Sequence, residues 1–327
     1  MFPKQSLKIP PKAWDALTLL RKKLEGTYSG QYGFGVGYKR VLGKFLDQVA
    51  LVVYVPNKLP PEQVPLSQLV PTVFEDFPTD VVECQIKSLA GDNKRYDDLH
   101  GGIEISHVWI DNQGNERSDG NGTLGCIAIK DNEKVFLTCE HVVSRMSNGV
   151  SQNNGLGMTI NQPGLGSPGS RKIGKCIGTS LPFDAAIIKP TDDSVFNNIL
   201  ATIEEIGPVK GKFTINRDNL NCDFPSTIGI VSKCGKATGL THGVIVCFTT
   251  RAPSTTPAAI EIISINAALG IPFADPGDSG SAVVNSDQKV VGILNSINSY
   301  DPLKLSAFAV LIDPICDALG IDIAVDP

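Results

Sequence analysis

From about residue 101 to the C-terminus, short apolar, β-branched runs alternate with turn residues. Gly125–Ile129, Val135–Thr138, Ala185–Ile188, Thr227–Val231, Gly243–Phe248, Ala258–Ile265, Ser281–Val284 and Val290–Leu294 are strand-sized, with Gly, Pro, Asn or Asp between many of them. Regular spacing of this kind predicts an all-β sandwich or barrel. The first 88 residues follow another pattern. Trp14, Leu17, Leu20 and Leu24 recur at helical spacing after Pro10-Pro11, with Gly26 as a stop, so a helix is expected over 11–26. Gly35–Tyr38, Val49–Val55 and Thr79–Glu83 read as strands, and Pro60-Pro61-Glu62 begins a short helix or extended segment. The result is a small α/β unit over 1–88, followed by a polar linker, 89–100, that contains Ala90-Gly91-Asp92-Asn93-Lys94-Arg95. At the other end Asp313-Pro314 opens a short helix that reaches Leu319 and stops at Gly320. No period of 20–50 residues repeats.

A chain of 327 residues exceeds one typical domain, and its 42% hydrophobic and 19% charged content excludes disorder. The net charge of −5 provides no positive field for nucleic acid or anionic lipid, so neither is expected as a partner. No apolar stretch approaches the roughly 18 residues of a spanning helix, and residues 1–14 carry no apolar signal core. A cytoplasmic protein is expected, with no membrane association. Lys4, Lys8, Lys12, Arg21, Lys22 and Lys23, against Asp15 alone, give the first helix a basic face read as solvated.

Cysteines stand at 84, 126, 139, 176, 222, 234, 247 and 316, with no C-x2-C pair, so a structural zinc site has no spacing to support it. They read as small buried thiols in β-structure, and the sequon at Asn121 as idle. Two glycine-rich stretches are decoys. Gly169–Cys176 nearly spells a phosphate loop, but Cys176 replaces the Mg2+-holding hydroxyl and a strand follows; Gly33–Gly37 lacks the spacing of a dinucleotide turn and reads as the start of a twisted strand.

The candidate chemistry begins at Gly277-Asp278-Ser279-Gly280, a tight turn leading into an apolar strand. Glycine on both sides lets the backbone bend sharply and aims the Gly277 and Ser279 amides at one point, as an oxyanion hole requires. A serine hydroxyl is a weak nucleophile, so a histidine base and an acid to orient it are needed. Of His100, His107, His141 and His242, His141 follows the strand Val135–Thr138 directly. Phe183-Asp184-Ala185-Ala186 sets an acid immediately before an apolar strand. His141, Asp184 and Ser279, 43 and 95 residues apart, place base and acid in a first barrel and the nucleophile in a second.

The stretch from Gly101 to Asp313 resembles the trypsin-like (chymotrypsin-fold) serine peptidases. Leu137-Thr138-Cys139-Glu140-His141 is similar to the family's histidine motif, with Cys139-Glu140 in place of the usual small residues. Phe183–Ile187 is similar to the aspartate motif, Gly277–Gly280 to the serine motif, and Lys236–Gly243 to the K/R-x-T-G-x-T-x-G hairpin of bacterial-type members. Residues 35–38, 51–60 and 77–83 resemble the leading α/β domain of bacterial trypsin-like peptidases related to the plant narrow-leaf proteins. The resemblance implies a mainly β, chymotrypsin-like double β-barrel with a small N-terminal α/β domain: first barrel 101–206, second barrel 207–327. It implies a serine endopeptidase with the triad His141, Asp184 and Ser279, the oxyanion on the Gly277 and Ser279 amides, and no metal or cofactor. The substrate is a protein or peptide, and a regulatory protein partner is open to the N-terminal domain. Phe273 stands where trypsin-like enzymes keep the acid that selects Arg or Lys, and Asn295, Ser296 and Ile297 fall on the strand expected to line the pocket, so an apolar or small P1 residue is expected. Asp275 is the residue close enough to recruit Arg or Lys instead. The alternatives are a pseudo-protease or partner-binding module, an esterase, or a single-turnover self-processing enzyme.

Overall fold

A computed structural model describes residues 9–25, 33–41, 44–55, 58–83, 93–147, 150–151, 154–191, 197–215, 230–251, 257–267, 271–298 and 306–326. The first helix, α1, spans Pro11–Glu25; four strands follow, β1 (Gly33–Val41), β2 (Lys44–Val55), β3 (Val73–Phe74) and β4 (Phe77–Glu83). The middle of the chain supplies β5 (Glu104–Ile110), β6 (Asn121–Thr123), β7 (Cys126–Lys130), β8 (Glu133–Thr138), the single-turn α2 (Glu140–Val143), β9 (Thr159–Gln162), β10 (Arg171–Ser180) and β11 (Ala185–Pro190). The last third holds β12 (Ile230–Gly235), β13 (Gly239–Arg251), β14 (Pro257–Ser264), β15 (Ala282–Val284), β16 (Val290–Ile297), β17 (Ser306–Leu311) and α3 (Ile312–Leu319).

The middle strands pair in the order β7-β8-β11-β10-β9-β5, with β6 on β5. The amides of Leu124 and Gly125 donate to Ile103 O (2.9 Å) and Leu137 O (2.8 Å), drawing the two ends of the sheet together around Ile105, Ile127, Phe136, Ile160, Ile173 and Ile187. The last third forms a closed ring, β12-β15-β16-β17-β14-β13 and back to β12. The fold is the expected mainly β double barrel. Helix α3 begins at Ile312 and not at Asp313; Pro314 sits in its first turn, where no helical acceptor awaits its missing N–H, and Gly320 ends it in the left-handed conformation.

The N-terminal strands do not form a sheet of their own. One side of β13 is shared: its first half, Gly239–Val244, pairs with β12, and its second half, Cys247–Arg251, with β1. From β1 the sheet runs on through β2 and β4 to β3, ten strands in all. Gly35 and Gly37 permit the approach, since a Cβ at Gly35 would lie 2.6 Å from both Cys247 Sγ and Phe248 O. Helix α1 covers this branch, and Leu17, Leu20 and Leu24 share one core with Phe34, Val36, Ile245, Phe248 and Ile260. Where β2 crosses the barrel, Glu261 on β14 is wholly buried and accepts from Tyr54 Oη (2.5 Å), Arg40 and Ser306. An unpaired carboxylate there would cost several kcal/mol, so this cluster ties residues 33–83 to the second barrel.

Gly26, Thr227–Gly229, Cys84, Cys222 and linker residues 89–92 lie outside the described residues. The six described cysteines are buried free thiols. Gly169-Ser170 leads into a strand, β10, and Gly33–Gly37 lies within β1. Among the described residues no helix is long and apolar enough to cross a membrane.

Candidate active site

His141 stands on α2, one turn of helix after β8, and Asp184 in the turn before β11. Because β8 pairs with β11 (Thr138 opposite Ala186), the two segments leave the sheet side by side. Asp184 takes a left-handed backbone (φ 46°), which a short polar side chain tolerates. Its carboxylate holds His141 twice: Oδ2 is 2.7 Å from Nδ1, and Oδ1 accepts the His141 backbone amide at 3.0 Å. Burial works against charge on the imidazole, but the Asp184 carboxylate and its hydrogen bond outweigh it and hold the His141 pKa above the ordinary 6.5. The contact also fixes the neutral tautomer: Nδ1 carries the hydrogen and Nε2 is left to accept a proton.

Ser279 lies in the turn before β15. Its hydroxyl donates to Asn295 O at 3.5 Å, a contact too long to restrain it, and among the described residues it makes no hydrogen bond to His141. The loop around it is pinned from below. Asp278, wholly buried, accepts from the amides of Ala237 (2.8 Å), Thr238 (3.2 Å) and Asp275 (3.0 Å) and from Thr238 Oγ1 (2.7 Å), and lies 3.1 Å from the buried Lys233 ammonium. Asp278 O accepts Ser281 N (2.9 Å) and Ser281 Oγ (2.6 Å). The Asp278 and Gly280 amides donate to Asp275 O and Leu294 O, whereas those of Gly277 and Ser279 find no acceptor among the described residues. Two amides are thus left open on either side of one that is bound.

Thr123, at the end of β6, joins the first barrel to this loop. Its amide donates to Ser279 O (2.8 Å), its hydroxyl donates to Gly277 O (2.8 Å) and accepts Lys236 N (3.0 Å), and its carbonyl accepts Thr138 Oγ1 (2.7 Å). Gly280 (φ 95°) must be glycine, because a Cβ would lie 2.2 Å from Thr123 O. Beneath the same junction Lys236 pairs with buried Glu104. Thr123, Lys233 and Asp278 escape reading in the sequence; the one available signal is a lysine, Lys233, inside an apolar strand.

Of the pocket candidates, Phe273 belongs to the apolar core of the second barrel, its ring 2.7 Å from where a Cβ of Gly243 would stand, and its carbonyl accepts Thr241 Oγ1 (2.6 Å). Asn295, Ser296 and Ile297 end β16, all buried, and Asn295 alone reaches Ser279. Asp275 is half-buried at the base of the loop. The other histidines belong elsewhere: His100 beside Gly101 O and Glu204, His107 between Val142 O and Asp119, His242 against Ser232 Oγ.

No family model matches the chain, and no curated protein is similar to it in sequence. Solved structures similar to it include serine proteases. A glutamic-acid-specific serine protease, described as using a histidine triad in substrate binding, is 16% identical with a TM-score of 0.48, covering 69% of this chain and 100% of its own. Nocardiopsis protease (17%, TM-score 0.47, covering 70% and 100%) and Cellulomonas bogoriensis chymotrypsin (19%, 0.45, covering 69% and 98%) are comparably similar.

Proposed function

We propose that the chain is a serine endopeptidase acting on proteins or peptides in the cytoplasm, without metal or cofactor. The observation that carries the reading is the double hold of Asp184 on His141. It orients the imidazole with Nε2 free, which is the state a general base needs. Ser279 Oγ attacks the scissile carbonyl and gives its proton to His141 Nε2; the imidazolium is stabilised by Asp184 and returns the proton to the leaving amine. The carbonyl oxygen, now negative, takes the free amides of Gly277 and Ser279. Water repeats the sequence on the acyl-enzyme. A P1 residue that is small or apolar, bounded by Asn295, Ser296 and Ile297, is proposed in place of the Arg or Lys of trypsin-like cleavage.

The test is a fluorophosphonate probe together with Ser279→Ala. Labelling should map to Ser279, and the alanine variant should lose both labelling and roughly 10^6-fold in turnover. Undiminished hydrolysis by that variant would sink the assignment, and a folded wild-type chain that neither labels nor hydrolyses would favour a partner-binding pseudo-protease.

A further inference from the structure

Cys139, His141 and Asp184 bring a thiol sulfur, an imidazole nitrogen and a carboxylate oxygen within 4.8 Å of one another. The backbone fixes this grouping. Cys139 lies between β8 and α2, His141 is two residues on, and Asp184 stands immediately before the paired strand β11. The other five described cysteines belong to no such group among the described residues.

Sulfur, imidazole nitrogen and carboxylate oxygen are the donor types that Zn2+ takes, at about 2.3 Å for sulfur and 2.0 to 2.2 Å for the others. Around a tetrahedral ion such donors stand roughly 3.3 to 3.7 Å apart, so the three atoms need to move by about an ångström. The Nδ1–Oδ2 contact of 2.7 Å has to open and the sulfur to close in. Cys139 is wholly buried, its thiol directed at Leu294 O (3.3 Å). The His141 and Asp184 side chains stay 21% and 19% exposed, which leaves a route for the ion and a fourth position for water.

We propose that Cys139, His141 and Asp184 form a binding site for Zn2+, or a cation of like softness, and that its occupancy switches hydrolysis off reversibly. The switching rests on the peptidase reading; the binding does not. On binding, the thiol loses its proton to solvent. The ion replaces hydrogen at Nδ1, and Nε2 takes up a proton, so one proton leaves per ion bound. With hydrogen on Nε2 and metal on Nδ1, the imidazole is in the tautomer that cannot accept the Ser279 proton.

The experiment titrates the full-length, chelator-treated protein with Co2+, followed by its thiolate-to-cobalt absorption, and then displaces it with Zn2+; calorimetry in buffers of different ionisation enthalpy counts protons released. Expected are one Cys139-dependent site, displacement by Zn2+, and one proton per ion. Cys139→Ala, which restores a small residue, should weaken Zn2+ binding roughly tenfold or more and abolish zinc inhibition while hydrolysis persists; Cys139→Ser serves if the alanine variant does not fold. Cys176→Ala should change nothing. Absence of a thiolate band, or its survival in the Cys139 variant, overturns the site. A metal-free enzyme that hydrolyses nothing while the Cys139-dependent band still forms removes the peptidase reading and the switch, and leaves the site standing.

Discussion

The Lys233 ammonium sits 3.1 Å from Asp278 Oδ2, both side chains wholly buried, so the residue next to Ser279 has its charge neutralised from a different strand of the barrel. Desolvation pulls the Lys233 pKa down and Asp278 pushes back. Lys233→Met strands a buried carboxylate beneath the Ser279 loop, at an expected cost of about 3 to 5 kcal/mol. Denaturant unfolding and turnover should fall together, and Lys233→Arg should recover part of both.

In the proposed mechanism hydrolysis requires neutral His141, so turnover should rise with pH through a value above 6.5, because Asp184 holds the imidazolium in place. A raised folded pKa adds stability below the unfolded value, and that contribution fades as pH climbs through the folded one. Unfolding of Ser279→Ala, chosen to exclude self-digestion, should report the fading as pH climbs upward from about 6.5. Asp184→Asn should lower turnover about 10^4-fold and flatten the profile.

Thr123 controls two carbonyls of the Ser279 loop. Thr123→Val removes the donor to Gly277 O and the acceptor of Lys236 N, each worth about 1 to 3 kcal/mol when a buried partner is left unmade. The effect should fall on kcat more than on KM, and Thr123→Ser should restore it. Equal loss in both constants would point to general loosening of the fold.

A shortened chain beginning at Asn93 should be insoluble or unfolded. It would uncover Phe248 and Ile260, leave half of one side of β13 unpaired, and deprive Glu261 of Arg40 and Tyr54. A soluble and more active product would instead mean that residues 1–92 cover the substrate cleft. Tyr54→Phe is the milder probe, at about 1.5 to 3 kcal/mol for a lost hydrogen bond to a charged group.

Apolar strands such as Val135–Thr138 and Val290–Leu294, and the His141–Asp184 pair, are legible because each follows from local order, an apolar run with a polar residue at its punctuated end; the more polar Glu104–Ile110 and Thr159–Gln162 are not. Partnership was not local. Residues 33–55 carry the pattern of strands whichever strand lies beside them, so the pairing of β1 with β13, two hundred residues away, had no mark beyond Gly35 and Gly37. Thr123 reads as any strand threonine, and three of its four hydrogen bonds, to Ser279, Gly277 and Lys236, exist only once two barrels meet. Phe273 was placed by motif distance, which counts residues to Ser279 but not the direction of the ring.

A closed ring of strands has no edge, and by adding β1 the molecule makes one again at the far end of the branch. That edge is a two-residue strand, Val73–Phe74, preceded by Pro71 and turned back by Glu75 and Asp76, both with positive φ. It opposes Pro78, a residue with no amide hydrogen to give. That terminal strand offers an incoming strand too little backbone to template on, and the next amide along β4, Thr79 N, is already taken by Thr72 O.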